Sequence, residues 1–286
     1  MSGRLVIINK MFSNLKFSIN QQKSPLFFLI PKVAFLSFII ALFMRLMGFL
    51  PLLIAWPEET NINIFFNFSF YSYSEGNIVI FIFSSLWVTL RLVLLAWLFS
   101  IILGISIIYI KSRYSKYDFL WNFLLSIGGV HVFGLIVIAQ HLVSGYIPFT
   151  ILVFVLAIGS GSLKDMVRSF ESVYKDVKRK EYWRFMFSQG VPQFRIGFSE
   201  LLVRFTELSF SKLPILFVGS ILVEAAANKQ GLGYHLLNSL KAIERGNVDL
   251  NILTGVAFTM IFLVLLSQHI AEYVRIRFAP QSLVKR

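Results

Sequence analysis

The stretch Ile78–Ile110, IVIFIFSSLWVTLRLVLLAWLFSIILGISIIYI, decides the fold class. It carries a single charge, Arg91, and is longer than the roughly 20 apolar residues that a helix needs to cross a bilayer. Lys111, Arg113 and Lys116 follow at once. Before it, residues 57–77 contain Glu58, Glu59 and Glu75 but neither Lys nor Arg. Lys and Arg collect in short cytoplasmic loops, so this helix runs from outside to inside.

Working outward, the same logic gives six spans. Residues 1–32 carry Arg4, Lys10, Lys16, Lys23 and Lys32 without an acid, which makes them a cytoplasmic N-terminus. The first apolar stretch is too long for the core of a secretory signal and no small-residue cleavage site follows it. The first span is expected at 33–56, a short outer loop at 57–77 and the core at 78–279. The further spans are expected near Phe119–Val143, Ile147–Gly161, Leu201–Val223 and Leu250–Tyr273. A charged cytoplasmic segment covers 162–200, and a short tail, 280–286, ends in Lys285 and Arg286. All the loops agree with one topology, N-in and C-in.

Composition agrees. The chain is 57% hydrophobic and 14% charged, with a mean hydropathy of +0.74, against about 25% charged residues in an ordinary soluble domain. A net charge of +13 would suggest nucleic acid in a soluble protein. Here no basic, aromatic-interleaved module is present, and the cations fall where anionic headgroups attract them. Absence of cysteine removes disulfides and thiolate chemistry. His131, His141, His235 and His269 lack the spacing of a metal site. No phosphate-binding G-x-x-x-x-G-K-[ST] loop occurs, so an ATP-driven process needs another chain to hold the nucleotide.

The charged segment is the most informative. It reads as helix, tight turn at Ser188-Gln189-Gly190-Val191-Pro192, helix, because Gly ends helices and Pro starts them. Such a helix at the base of the spans is a surface that a motor subunit can push, although an ordinary connecting loop fits the same pattern. Charges inside or beside the spans are Arg45, Arg91, Arg204, Glu207 and Lys212. At the bilayer centre each costs about 2.5–3.5 kcal/mol on insertion scales, so they face the bundle interior or water. Arg204 and Glu207 have the spacing of a local pair, and Arg91 that of a side chain snorkelling to the interface.

Asp176–Ile196, DVKRKEYWRFMFSQGVPQFRI, resembles the cytoplasmic loop of the dipeptide/oligopeptide/nickel ABC permeases, E-D-Y-V-R-T-A-R-A-K-G-L, with Glu181, Tyr182, Arg184 and Gly190 in matching places. Val223-Glu224 and Gly231-Leu232-Gly233 are similar to that family's V-E-x(6)-G-L-G, and Val88-Thr89-Leu90 to its N-T-L. Phe185 and Met186 stand where the family carries small residues, and Pro192 is a further departure. The resemblance implies an all-α bundle of the type I importer permease kind in a bacterial inner membrane. It also implies a second permease subunit, identical or different, two ATPase chains holding ATP and Mg, and an extracytoplasmic binding protein that delivers peptide-like or other small solutes. Glu181, Tyr182, Arg184, Phe185, Gly190, Val191 and Pro192 would then couple to the ATPase. Glu207, Lys212, Glu224, Gly231 and Gly233 are candidates for the translocation pathway or outer gate. No catalytic, metal or cofactor site is expected in the chain itself. Two other readings stand beside this one: an ion-coupled secondary transporter, and a permease that has become a non-transporting assembly subunit.

Overall fold

A computed structural model describes residues 25–55, 65–69, 71–72, 76–113, 132–143, 147–159, 162–191, 205–245 and 249–278. The helices are α1 (Pro25–Ala55), α2 (Ile78–Arg113), α3 (Val132–Val143), α4 (Phe149–Ile158), α5 (Ser162–Arg179), α6 (Glu181–Ser188), α7 (Leu213–Ala226), α8 (Leu232–Glu244) and α9 (Leu250–Phe278). A two-residue hairpin, β1 (Tyr71–Ser72) against β2 (Gly76–Asn77), precedes α2. The protein is an all-α, multi-pass membrane protein. Among the described residues four helices are long and apolar enough to cross a bilayer: Leu29–Leu50, Ile78–Ile110, Phe205–Ala226 and Leu250–Val274.

Several differences from the sequence expectation have physical reasons. Helix α1 begins at Pro25 instead of near Val33, because Leu26–Ile30 are all apolar and proline suits a first helical turn. The fourth expected span, Ile147–Gly161, contains only the ten residues of α4, about 15 Å by the helical rise. It crosses a bilayer only together with α5, from which it is bent by 51°. The first turns of α5 bury Leu163, Met166, Val167 and Phe170 against α2, so the segment expected to be cytoplasmic from residue 162 begins as part of the bundle. Of the third expected span only α3 is described. The six expected spans thus have four counterparts, or five with the bent pair, among the described residues.

The fifth expected span is interrupted. Residues 205–210 are helical, Ser211 and Lys212 form a turn, and α7 resumes at Leu213. Pro214 in the first turn of α7 explains the break: it has no N–H and its ring collides with the carbonyl four residues back. The indole N–H of Trp97 donates at 2.9 Å to the carbonyl of Ser209, which also accepts the Lys212 N–H of the turn.

The central core joins α2, α3, α4 and α7 through Leu92, Ala96, Ile136, Leu152, Leu156 and Leu216. Small residues let these helices approach closely, as in other membrane bundles. A Cβ on Gly219 would lie 2.9 Å from Leu156, and one on Gly48 of α1 would lie 2.9 Å from Leu253 of α9.

Helix α1 is fastened to α9 by Arg45, which is wholly buried. Its Nη1 donates to Leu250 O (3.0 Å), Asn251 Oδ1 (3.0 Å) and Thr254 Oγ1 (3.1 Å). Its Nε and Nη2 donate to the carbonyls of Phe65 (2.8 Å) and Asn67 (3.0 Å), and Phe68 lies over the guanidinium at 4.4 Å. Asp249 caps α9 by accepting the N–H groups of Asn251 and Ile252. Replacing Arg45 by Leu strands these acceptors, each buried unsatisfied group costing about 1–3 kcal/mol. The expected result is a clear loss of thermal stability in detergent, read by a melting curve, with Arg45→Lys recovering only part because lysine lacks the planar fork.

Candidate functional site

The expected site residues fall in three places. The first is the α5–α6 elbow. Lys180 takes an extended conformation (φ −68°, ψ 142°) between the two helices, so α6 leaves the line of α5. Trp183 is the buried side chain of α6 and forms a cluster with Val177, against which Val173, Tyr174, Val191 and Phe205 pack. Phe205 in turn packs on Phe170 of α5 with ring centroids 4.3 Å apart. Trp183 therefore ties α6 to the base of the broken fifth span.

The far end of α6 is closed by a Schellman cap. Gly190 has φ +75°, its N–H donates to Phe187 O (3.0 Å), and the Val191 N–H donates to Met186 O (3.2 Å). This is the structural reason for glycine at the place that the family pattern singles out. Tyr182, Phe185, Met186 and Phe187 are exposed by 40, 62, 39 and 53%. Glu181 and Arg184 are exposed beside them. Pro192 lies outside the described residues.

The second place is the turn in the fifth span. Lys212 Nζ lies 3.5 Å from Asp165 Oδ2 in the first turn of α5. Glu207 is partly buried one turn before the break, and its carbonyl accepts the Ser211 N–H. Arg204, the partner expected for Glu207, lies outside the described residues. Lys212 is thus a link between the fifth span and α5.

The third place is the far end of α7. There Asn228 adopts φ +51° and the helix closes with Lys229 N–H donating to Glu224 O at 2.9 Å, a second Schellman cap. The chain doubles back so that the wholly buried Glu224 carboxylate accepts the Gly233 N–H (2.8 Å) at the start of α8. A carboxylate is favoured at a helix N-terminus. Any Cβ on Gly231 would overlap the Glu224 carboxylate, and one on Gly233 would overlap the Ile221 backbone. The Leu232 N–H donates to Thr89 Oγ1 of α2 at 2.9 Å. Glu224, Gly231 and Gly233 therefore come together in a lock that holds α8 across α2 and α7. Glu207 and Lys212 belong elsewhere: Lys212 is twelve residues before Glu224, about 18 Å by the helical rise.

Two expected outliers are also placed. Arg91 is exposed on α2 with its guanidinium 5.1 Å from the centre of the Phe149 ring. His141 is exposed on α3, and His131 lies outside the described residues. Among the described residues no group of three His, Asp or Glu side chains is arranged to hold a metal ion.

Sequence reasoning missed Trp183 as the anchor of α6 and Thr89 as the receptor of the α8 terminus. Trp183 had a signal, as a large apolar residue on an otherwise solvated helix. Thr89 had only its place in the N-T-L echo.

No family model and no curated protein matches this chain.

Two outcomes follow from this geometry. Gly190→Ala puts a Cβ into left-handed backbone at a cost of about 1–2 kcal/mol, so the amides of α6 should lose hydrogen-exchange protection while those of α9 do not. His235, packed 4.4 Å from the Phe81 ring, is pushed below its ordinary pKa by burial. As pH falls through about 6.5 the unfolded chain takes up this proton more readily than the folded one, so the contribution of neutral His235 is lost on acidification. Melting curves at about pH 7.5 and 5.5 should converge in His235→Gln relative to the parent.

Proposed function

We propose that this chain is the permease subunit of an ATP-driven ABC importer in a bacterial inner membrane, with six spans and both termini cytoplasmic. It moves peptide-like or other small solutes from an extracytoplasmic binding protein by alternating access, beside a second permease subunit. ATP and Mg are bound by two partner ATPase chains.

The observation that carries the reading is α6. A helix on the side expected to be cytoplasmic leaves aromatic side chains exposed, yet it is joined to the spans through Trp183. A load applied to α6 passes through Trp183 to Phe205, and so to the lower part of the fifth span. Lys212 and Asp165 tie the turn above that part to the start of α5, so the lower fifth span and the α5–α6 elbow move together. The broken backbone before Pro214 gives this unit a place to pivot against α7. Reorienting the lower unit against the locked α7–α8 end would open one side of the bundle and close the other.

The test is recovery of partner chains from solubilised membranes, the parent beside Arg184→Glu and Gly190→Pro. Proline cannot adopt the positive φ of residue 190, so the cap is lost. The expected result is that an ATPase and a second permease co-purify with the parent, and that the ATPase is lost from both variants while their melting curves stay close to the parent's. If no ATPase is recovered with the parent even after gentle cross-linking, the importer reading fails and ion-coupled transport becomes the better one.

A further inference from the structure

Residues three, four or seven places apart share one face of an α-helix. Ile80, Phe83, Trp87, Arg91, Leu98 and Ile102 form such a stripe on α2, and all are exposed. The opposite face, with Leu92, Ala96 and Ser100, is buried in the bundle. A hydrocarbon core is about 30 Å thick, which an upright helix crosses in about 20 residues. A core that covers Ile80 therefore extends at least to about Ser100 and holds Arg91 near its middle. Tilt lengthens the covered stretch and does not bring Arg91 out of it. A core that stops at Arg91 instead leaves Ile80, Phe83 and Trp87 in water, although they are exposed by 69, 66 and 68%. No placement of the bilayer suits both parts of the stripe.

Charge gives the second half. A cation inside the core costs about 2.5–3.5 kcal/mol on insertion scales and is usually met by an opposite charge. Among the described residues Arg91 touches the Phe149 ring and has no ion pair. The acids of the described spans lie elsewhere. Glu224 is wholly buried against α8, and Glu272 is near the inner end of α9. Glu207 lies further in than Ser209, whose carbonyl meets Trp97, itself about 9 Å inward of Arg91 by the helical rise. A second copy packed through the same stripe across a twofold axis sets Arg91 against Arg91, and Ile78–Ile110 has no acid to offset it.

We infer that the exposed stripe of α2 is covered by a membrane helix of the second permease subunit, which is not a copy of this chain and presents an Asp or Glu carboxylate to Arg91 from among apolar residues. This rests on the importer reading, to which it adds the face used and the chemistry of the partner. Such a helix removes both conflicts. It covers Ile80, Phe83 and Trp87 wherever the core begins, and it neutralises the guanidinium beside the Phe149 ring. The pair also sets the register of the two subunits, since a slip of one turn carries the carboxylate about 5.4 Å from the cation.

The test places the photoreactive residue benzoylphenylalanine at position 87 or 98 of the full-length chain in native membranes, one site on each side of Arg91. The expected result is that both positions cross-link the same second permease, at peptides that flank a single Asp or Glu in an apolar stretch. Arg91→Glu should lower recovery of that subunit about tenfold, since like charges are brought together. Changing the partner's acid to Arg should restore recovery in the Arg91→Glu background, which shows that the loss came from the contact and not from misfolding. The inference is wrong, and the importer reading is unharmed, if a second permease co-purifies while both positions give only lipid adducts or reach a second copy of this chain. The same holds if Arg91→Glu leaves recovery unchanged or the reversed pair does not restore it. If no second permease is recovered even after gentle cross-linking, the importer reading fails as well.

Discussion

Within a bilayer there is no water to satisfy a backbone amide or carbonyl, so each place where a helix stops must find its partners in the protein. This constraint explains several polar contacts among the described residues. Trp97 donates to Ser209 O at the turn before Pro214, and Gln140 Nε2 donates to Ala226 O at the end of α7. Ser100 reaches Ala157 O near the end of α4. Asn77 accepts the Val79 N–H at the start of α2, and Glu224 and Thr89 take the first amides of α8. Several polar side chains among the described residues thus serve places where helices end, while buried Ser37, Ser220 and Ser267 bond carbonyls of their own helices.

The long apolar helices were legible in the sequence because hydropathy and loop charge are local signals. The membrane class, the span at Ile78–Ile110 and the turn at Gly190 all follow from neighbouring residues, whereas the elbow at Lys180 was not foreseen. The bend between α4 and α5 was not legible, because it depends on Leu163, Met166 and Phe170 finding α2, some sixty residues earlier in the chain. Pro214 was visible, but the turn before it was not: Trp97, which donates to Ser209 O at that turn, lies more than a hundred residues away. The candidate pathway residues separated for the same reason. Glu207, Lys212 and Glu224 share one stretch of sequence, yet the partners that place them come from α5 and α8.

The glycines of the two motifs make an instructive contrast. Gly190 ends α6 with free space around it, so its requirement is backbone angle alone. Gly231 and Gly233 have ordinary angles and are constrained instead by the carboxylate and backbone pressed against them. Glycines alike in a motif are thus required for different reasons, conformation at one end of the molecule and space at the other.

Arg45 has a consequence for biosynthesis. Its partners on α9 lie 205 to 209 positions further along the chain. At about 5–20 residues per second, roughly 10–40 s pass between the synthesis of the first span and that of the helix that receives its guanidinium. During that time the nascent first helix carries a charge that its final neighbour has not yet arrived to accept. Helix α9 is therefore what completes α1, and a chain that stalls before Leu250 leaves Arg45 without its partners on α9.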